Sequence, residues 1–287
     1  MDGLRERSRL GEFWRRFKKN KPAVAGLAVI ILFTLAAVSA DFICDYDLQV
    51  IGQHPVVRLQ PPSAEHWFGT DGFGRDLFAR IVFGARVSLS IGFGAALISV
   101  FVGGILGAAS AYYGGRADNI IMRILDVFMA IPGMLLLLAI VAAFGTGLDK
   151  MMLAISVISV PGFARIIRSV ILTISGQEFI KAAKACGSGD LRIILRHILP
   201  NAMGPIIVNF SMSIAGLILV GAGLSFLGMG IQPPNPEWGA MLSEAIPYIS
   251  DAPHLILFPG FALLICSLSM NLIGDGMRDA LDPRLKN

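Results

Sequence analysis

Six stretches of the chain stay apolar for about the length a bilayer core demands, roughly 20 residues. They are Pro22 to Ile43, Val87 to Tyr113, Val127 to Leu148, Met151 to Leu172, Met203 to Phe226 and His254 to Gly274. The second carries no charge from end to end. The fourth has Arg165 and Arg168 in its last turns, where long stems let guanidinium groups snorkel to the interface. Between the fourth and fifth the pattern breaks. The run EFIKAAKACGSGDLRIILRHILPNA (Glu178 to Ala202) carries Glu178, Lys181, Lys184, Asp190, Arg192, Arg196 and His197. It reads as helix, glycine break, helix, proline.

Within that run, Phe179 to Cys186 is a short helix rich in Ala182, Ala183 and Ala185. Gly187 follows, the residue type that accepts the left-handed backbone just past a helix end. Ser188 or Asp190 can cap the next helix, Leu191, Ile194, Leu195 and Ile198 form an apolar stripe, and Pro200 can start the following span. Two readings fit the physics equally: a compact elbow that docks in a partner's groove, or an amphipathic helix resting on the bilayer.

The second span carries Ser99, Gly103, Gly107 and Ala111 at four-residue spacing. Small residues on one face let membrane helices approach closely, because lipid supplies little hydrophobic drive for pairing. Pro132-Gly133, Pro161-Gly162, Gly204-Pro205 and Pro259-Gly260 interrupt the later spans, and broken helices can line a transport path. Ahead of the first span, Leu10, Phe13, Trp14 and Phe17 sit at helical spacing among basic residues, the composition of a helix in the headgroup plane. The chain thus divides into a basic interfacial segment (1–21), a first span (22–43), an external segment (44–86) and a five-helix core (87–287) containing the charged loop 178–202. The first apolar run is long enough to act as a start-transfer helix, and no cleavable signal peptide is evident.

Of 287 residues, 55% are hydrophobic and only 15% charged, with mean hydropathy +0.70. That composition belongs to a multi-pass membrane protein. Lysine and arginine are segregated by loop: eight in the first 21 residues, two at Arg116 and Arg123, six from Arg165 to Arg196 and three after Gly274, against five elsewhere. The positive-inside rule therefore puts both termini and the charged loop in the cytoplasm. It also explains the net charge of +4 without nucleic acid. Cys44, Cys186 and Cys266 match no zinc or redox spacing, and the four histidines lie far apart. Gly69, Gly72 and Gly74 lack phosphate-loop spacing. Asp71 and Asp76 lack that of a calcium loop, and read as part of a tight turn entering an interfacial helix. Enzyme motifs are missing. Carboxylates within the spans are scarce: Asp126, at the cytoplasmic end of the third, is expected to pair with Arg123. An ion-coupled secondary transporter would need more of them. If the chain is a transporter, its driving energy must come from elsewhere.

The run K-A-A-K-A-C-G followed by I-L-P resembles the cytoplasmic EAA loop of binding-protein-dependent ABC importer permeases. Ala182, Ala183, Gly187, Leu199 and Pro200 agree with that pattern; Lys181 replaces its usual acid and His197 its isoleucine. His66 to Asp76 (HWFGTDGFGRD) and Asn271 to Leu285 (NLIGDGMRDALDPRL) resemble the "C"-type permeases of dipeptide, oligopeptide, nickel and glutathione systems. The resemblance implies an all-α integral membrane protein with six transmembrane helices, of the type I ABC importer permease kind, in a bacterial or archaeal cytoplasmic membrane. It implies a "B"-type permease partner, two ATP-binding subunits and an external solute-binding protein. The cargo would be peptides, with nickel and glutathione as alternatives. The residues facing the ATPase would be Lys181, Ala182, Ala183, Gly187, Ser188, Asp190, Leu199 and Pro200. The chain would hold no cofactor itself, ATP being bound by the partner subunits.

Overall fold

The computed structural model describes residues 9–281. Twelve helices follow one another: α1 (Arg9–Phe17), α2 (Lys21–Val38), α3 (Ala40–Ile43), α4 (Leu77–Tyr113), α5 (Gly115–Ala130), α6 (Gly133–Phe144), α7 (Leu148–Ser175), α8 (Glu178–Ala185), α9 (Asp190–Ile193), α10 (Leu199–Phe226), α11 (Trp238–Ala245) and α12 (His254–Leu281). Five elements are long and apolar enough to cross a membrane, the fourth of them being α9 and α10 joined through a wide π-type turn.

The remaining crossing departs from expectation. Instead of one rod from Val127 to Leu148, α5 and α6 meet at a bend of 89°. The cause is local. Ile131 precedes a proline, which disfavours helical backbone; it takes φ −89°, ψ 130°, and Pro132 then opens α6. At about 1.5 Å per residue the 12 residues of α6 reach only ~18 Å, short of a full crossing without α5. Pro161, Pro205 and Pro259, by contrast, lie inside continuous helices. Only one of the four proline-glycine interruptions breaks a span.

Helix α4 begins ten residues earlier than the predicted span, capped where the Asp76 carboxylate accepts the Ala79 N–H at 2.9 Å. Leu77 to Arg86 are therefore its first turns, continuous with the span, and not a separate interfacial helix. Its 37 residues reach about 55 Å, well beyond a hydrocarbon core of ~30 Å. It joins two distant ends of the molecule, here the loop end (residues 44–76 and 227–253) and the hairpin end (α8 and α9).

Ser99, Gly103, Gly107 and Ala111 are all buried. A Cβ on Gly103 would lie 2.8 Å from Phe163 Cβ and 3.0 Å from Val160 O, and one on Gly107 would collide with Ala164 O, all on α7. Ser99 Oγ donates to Ala95 O at 2.7 Å and reaches Ser156 O at 3.4 Å, while Ser156 Oγ reaches back to Ala95 O at 3.2 Å. The two backbones touch along this face. Helices α10, α12 and α2 complete the bundle around it.

At the chain start, Phe17 is buried against α12, where a Cβ on Gly276 would sit 3.1 Å from its ring. Asn20 Nδ2 donates to Asp279 Oδ2 at 3.1 Å. Helix α1 is thus latched to the end of α12, with Trp14 exposed. The Leu10 side chain, the basic residues Arg5 and Arg7, and the tail from Asp282 lie outside the described residues.

A Gly107→Leu substitution is expected to force α4 and α7 apart. It should cost about 1–3 kcal/mol or more in stability, read as a lowered thermal midpoint of the purified protein in detergent or nanodiscs. A leucine at Gly216, a glycine inside α10 that no atom approaches within 4 Å, gives the comparison for backbone effects without a packed face.

Candidate functional site

The charged hairpin forms one candidate site. Its α8 helix ends as the residue types require: Gly187 takes φ +76°, its N–H donates to Lys184 O at 2.9 Å, and the Ser188 N–H donates to Ala183 O at 3.1 Å. This pair of bonds closes the helix with a reversed turn. Expected caps for α9 are absent. Gly189 occupies the cap position, and neither Ser188 nor Asp190 caps the helix with its side chain. Asp190 has another partner, accepting the Tyr112 hydroxyl at 2.6 Å from the end of α4. Lys184 Nζ lies 4.9 Å over the same Tyr112 ring. These two contacts tie the elbow to α4.

The apolar side of the hairpin also differs from the predicted stripe. Leu191 and Leu195 are exposed; Ile180, Ile193 and Ile198 are buried with Ile167, Ile171 and Ile174 of α7 and Ala111 of α4. The turn from Ile194 to Ile198 is wider than an α-helix, which rotates the following residues away from the face a 3.6-residue period assigns. Pro200 sits in the first turn of α10, exposed like Leu199. Ala183 packs against the same isoleucine cluster; on the opposite side Lys181, Ala182, Ala185, Cys186 and Gly187 are open, Ser188 is half-buried, and no atom approaches a Cβ at Gly187 within 4 Å. The Lys181 ammonium lies 3.5 Å from the Glu178 carboxylate. One face of the elbow is cemented to the bundle and the other is bare.

Beneath it, the span arginines do not simply snorkel. Arg168 makes a two-pronged pair with Asp118 of α5 (Nε–Oδ1 2.6 Å, Nη2–Oδ2 2.5 Å), and the Ser110 hydroxyl donates to the same carboxylate. Arg165 pairs with Asp126 at 2.5 Å. Asp126 therefore finds α7 and not Arg123, because the bend after α5 swings that helix across the end of α7.

At the loop end a second polar assembly is sealed inside. Gly74 (φ +78°) turns the chain so tightly that any Cβ there would strike His54 O. The turn places Arg75 Nε 2.6 Å from Asp71 Oδ2 and Arg75 Nη2 2.6 Å from Glu244 Oε2 of α11. Arg80, 1% exposed, reaches the same two carboxylates at 3.1 and 3.0 Å. Asp71 also accepts the N–H groups of Phe73 and Arg75. Two cations and two anions alternate, so the buried charge closes on itself. Asp76, besides capping α4, pairs with His66 Nδ1 at 2.8 Å. Beside this cluster Trp238, fully buried, donates to Ile81 O at 3.1 Å, and Glu237 takes the Ser88 hydroxyl at 3.1 Å and the Ala240 N–H at 2.9 Å. Burial holds the Glu237 carboxyl above the usual carboxylate range, against the pull of those hydrogen bonds. Sequence reasoning missed this assembly. The i,i+4 spacing of Asp71 and Arg75 was readable, but Glu244 lies 169 positions away.

A chain of lipid-crossing helices, built on a long strut with a sealed cap at one end and a half-bare charged elbow at the other, defines a transport subunit. Residues 99–287 match the family described as "Binding-protein-dependent transport system inner membrane component", and residues 8–62 the "N-terminal TM domain of oligopeptide transport permease C". The chain belongs to the first family: it is a multi-pass permease subunit of an ABC importer, and ATP hydrolysis is the work of partner subunits. Membership implies a partner permease, ATPase subunits and a binding protein. It is 47% identical over 276 residues to the dipeptide transport system permease protein DppC of Alkalihalophilus pseudofirmus, covering 96% of this chain and 90% of that one. It is 44% identical over 276 residues to the glutathione transport system permease protein GsiD of Pectobacterium atrosepticum, covering 96% and 91%. Among solved structures, a chain from inward-facing conformations of the MetNI methionine ABC transporter superposes with TM-score 0.60 over 71% of this chain and 96% of that one. At 19% identity that likeness concerns the fold.

Glu244→Gln should leave two buried guanidinium groups facing one carboxylate, destabilising the loop end by about 3–5 kcal/mol; thermal unfolding measures it. Glu237 gives a pH signature. Its folded pKa lies above its unfolded value, so its stabilising contribution is full below the unfolded carboxylate range. That contribution is lost as pH rises through the folded value. Glu237→Gln should flatten this dependence, its thermal midpoint falling less than the parent's from mildly acid to alkaline pH.

Proposed function

We propose that the chain forms one half of the translocation path of an ATP-driven importer of short peptides, paired with a "B"-type permease and served by an external solute-binding protein. Two ATP-binding subunits supply the energy, one of them engaging the elbow through Lys181, Ala182, Ala183, Gly187 and Ser188. Asp190 tethers that surface to α4 through Tyr112, and the exposed Leu199 and Pro200 extend it at the start of α10. The elbow and both termini lie in the cytoplasm by the distribution of lysine and arginine, which puts the sealed loop end outside.

One observation carries this reading: the elbow has an apolar back seated on α4 and α7 and an uncovered alanine-glycine rim. A helix that merely rested on lipid would turn its isoleucines outward. Here they face the bundle. A face of small side chains admits a groove wall closely, and Lys181 suits a partner surface that offers an acid. Peptide cargo is supported by the dipeptide and glutathione systems to which the relatives belong, glutathione being itself a tripeptide. Peptides carry hydrogen-bonding backbone and no fixed net charge, which suits spans nearly free of ionisable groups.

Cys186 provides a direct test, since Cys44 and Cys266 are buried. In the assembled complex, ATPase subunits should protect Cys186 from a membrane-impermeant thiol reagent, and removing them should restore labelling. Ala182→Trp should insert and fold normally while losing substrate-stimulated ATP hydrolysis. Full labelling of the intact complex, or normal coupling in the tryptophan variant, would contradict the assignment of this face.

A further inference from the structure

We propose a phospholipid site at the loop end, in which Arg86 and Asp41 hold a zwitterionic aminophospholipid headgroup and the groove between α2 and α4 takes an acyl chain. Two spaces meet at Arg86. One is an open cavity of about 740 Å³ lined by Asp41, Tyr46, Phe83, Thr146, Gln232 and Asn235, among others. The other, about 380 Å³, runs along Thr34, Ala37, Val38, Leu89, Ser90 and Phe93. The first has the size and mixed lining of a small-molecule site. The second follows the membrane helices.

The polar groups are set for this division. In the groove, Thr34 Oγ1 donates to Ile30 O at 2.7 Å and Ser90 Oγ to Arg86 O at 2.6 Å. Both hydroxyls are satisfied by their own helices, so the groove presents hydrocarbon. Arg86 is fixed at the boundary: its Nε donates to Ala37 O at 2.9 Å and its guanidinium lies 5.3 Å over the Phe83 ring. It thereby caps the negative end of α2, at the level where that span meets the headgroups. Its Nη2 lies 3.0 Å from Asp41 Oδ2, and both side chains are about half exposed or more. An exposed pair of this kind contributes about 0–1 kcal/mol. A phosphate can take the place of Asp41 at small cost, freeing that carboxylate for a primary ammonium.

The lining is neutral as a set, one guanidinium and one carboxylate. It therefore complements a headgroup that carries one phosphate and one ammonium better than a purely anionic one. A quaternary ammonium lacks the N–H groups that Asp41 would accept. Tyr46, bonded through its hydroxyl to Asn235 at 3.0 Å, closes the far wall of the cavity, so an occupied site would join the N-terminal span to the loop after α10.

The test uses the whole transporter, purified and then reconstituted in nanodiscs of phosphatidylethanolamine, phosphatidylcholine or phosphatidylglycerol, with retained lipid identified by native mass spectrometry. One phosphatidylethanolamine per copy of this chain should survive delipidation, and this lipid alone should raise the thermal midpoint. Asp41→Asn keeps the cap on α2 and removes the ammonium's partner; retention of that lipid should fall about tenfold, the effect of one lost charge-assisted hydrogen bond. Ser90→Trp, at an exposed position lining the groove, fills it without entering the core and should abolish retention of every lipid. Equal retention of the three lipids, an unchanged Asp41→Asn variant, or cross-links from a cysteine at Ser90 to a partner subunit instead of lipid would each overturn the proposal.

Discussion

Close approach of α4 and α7 is the constraint on which the rest depends. In lipid there is no hydrophobic gain in bringing two apolar helices together, so adhesion comes from dispersion and a few hydrogen bonds at short range. Ser99, Gly103 and Gly107 make that range available, and the serine pair at Ser99 and Ser156 adds polar contacts between the two backbones. Removing the side chains costs helix propensity. The contact they permit offsets that cost over several turns. Once α4 is locked to α7, the strut is rigid, and everything at its two ends inherits a fixed separation.

The two ends use different electrostatics for the same purpose. At the loop end, charges are withdrawn from water and must be neutralised within the chain. Arg75 and Arg80 alternate with Asp71 and Glu244, and Glu237 accepts hydrogen bonds at the top of α11. Such a cluster is poor as a source of net stability but strongly selective for one arrangement of the loop against α11. At the hairpin end the charges remain near water and hold helices by single pairs: Arg168 to Asp118, Arg165 to Asp126, Asp190 to Tyr112. These can rearrange at lower cost. If energy arrives at the hairpin, as proposed, the asymmetry lets a stiff far end convert displacement of the elbow into motion of the strut.

Spans and elbow were legible in the sequence because each rests on local physics: apolar length, glycine at a helix end, proline at a helix start. Gly187 closes α8 and Pro200 opens α10 as their residue types dictate. Failures occurred where a residue had a distant alternative. Asp190 had the chemistry of a cap but found Tyr112 across 78 positions. Asp126 had Arg123 nearby yet met Arg165, because the bend at Pro132 re-aimed α5. Proline alone gave no warning of which interruption would break a span. Pro161 is packed inside the α4–α7 contact and continues as helix, but exposed Pro205 continues as helix too, so the exposure of Ile131 and Met134 beside Pro132 does not by itself account for the bend.

That exposure also bears on how the molecule can move. The break has bare apolar side chains on its outer side, while Leu125, Leu137 and Val141 bury its inner side against the bundle. Ile120, Ile124, Val127, Phe128 and Leu135 around it are likewise exposed, so lipid or the partner permease must supply the missing wall. Yet α5 is not free. Asp118 and Asp126, eight residues apart on α5, pin it to Arg168 and Arg165 of α7, and α7 carries the isoleucines that seat the elbow. Displacement of the elbow can therefore reach α5 through α7, alongside the direct links the elbow makes to α4 at Tyr112.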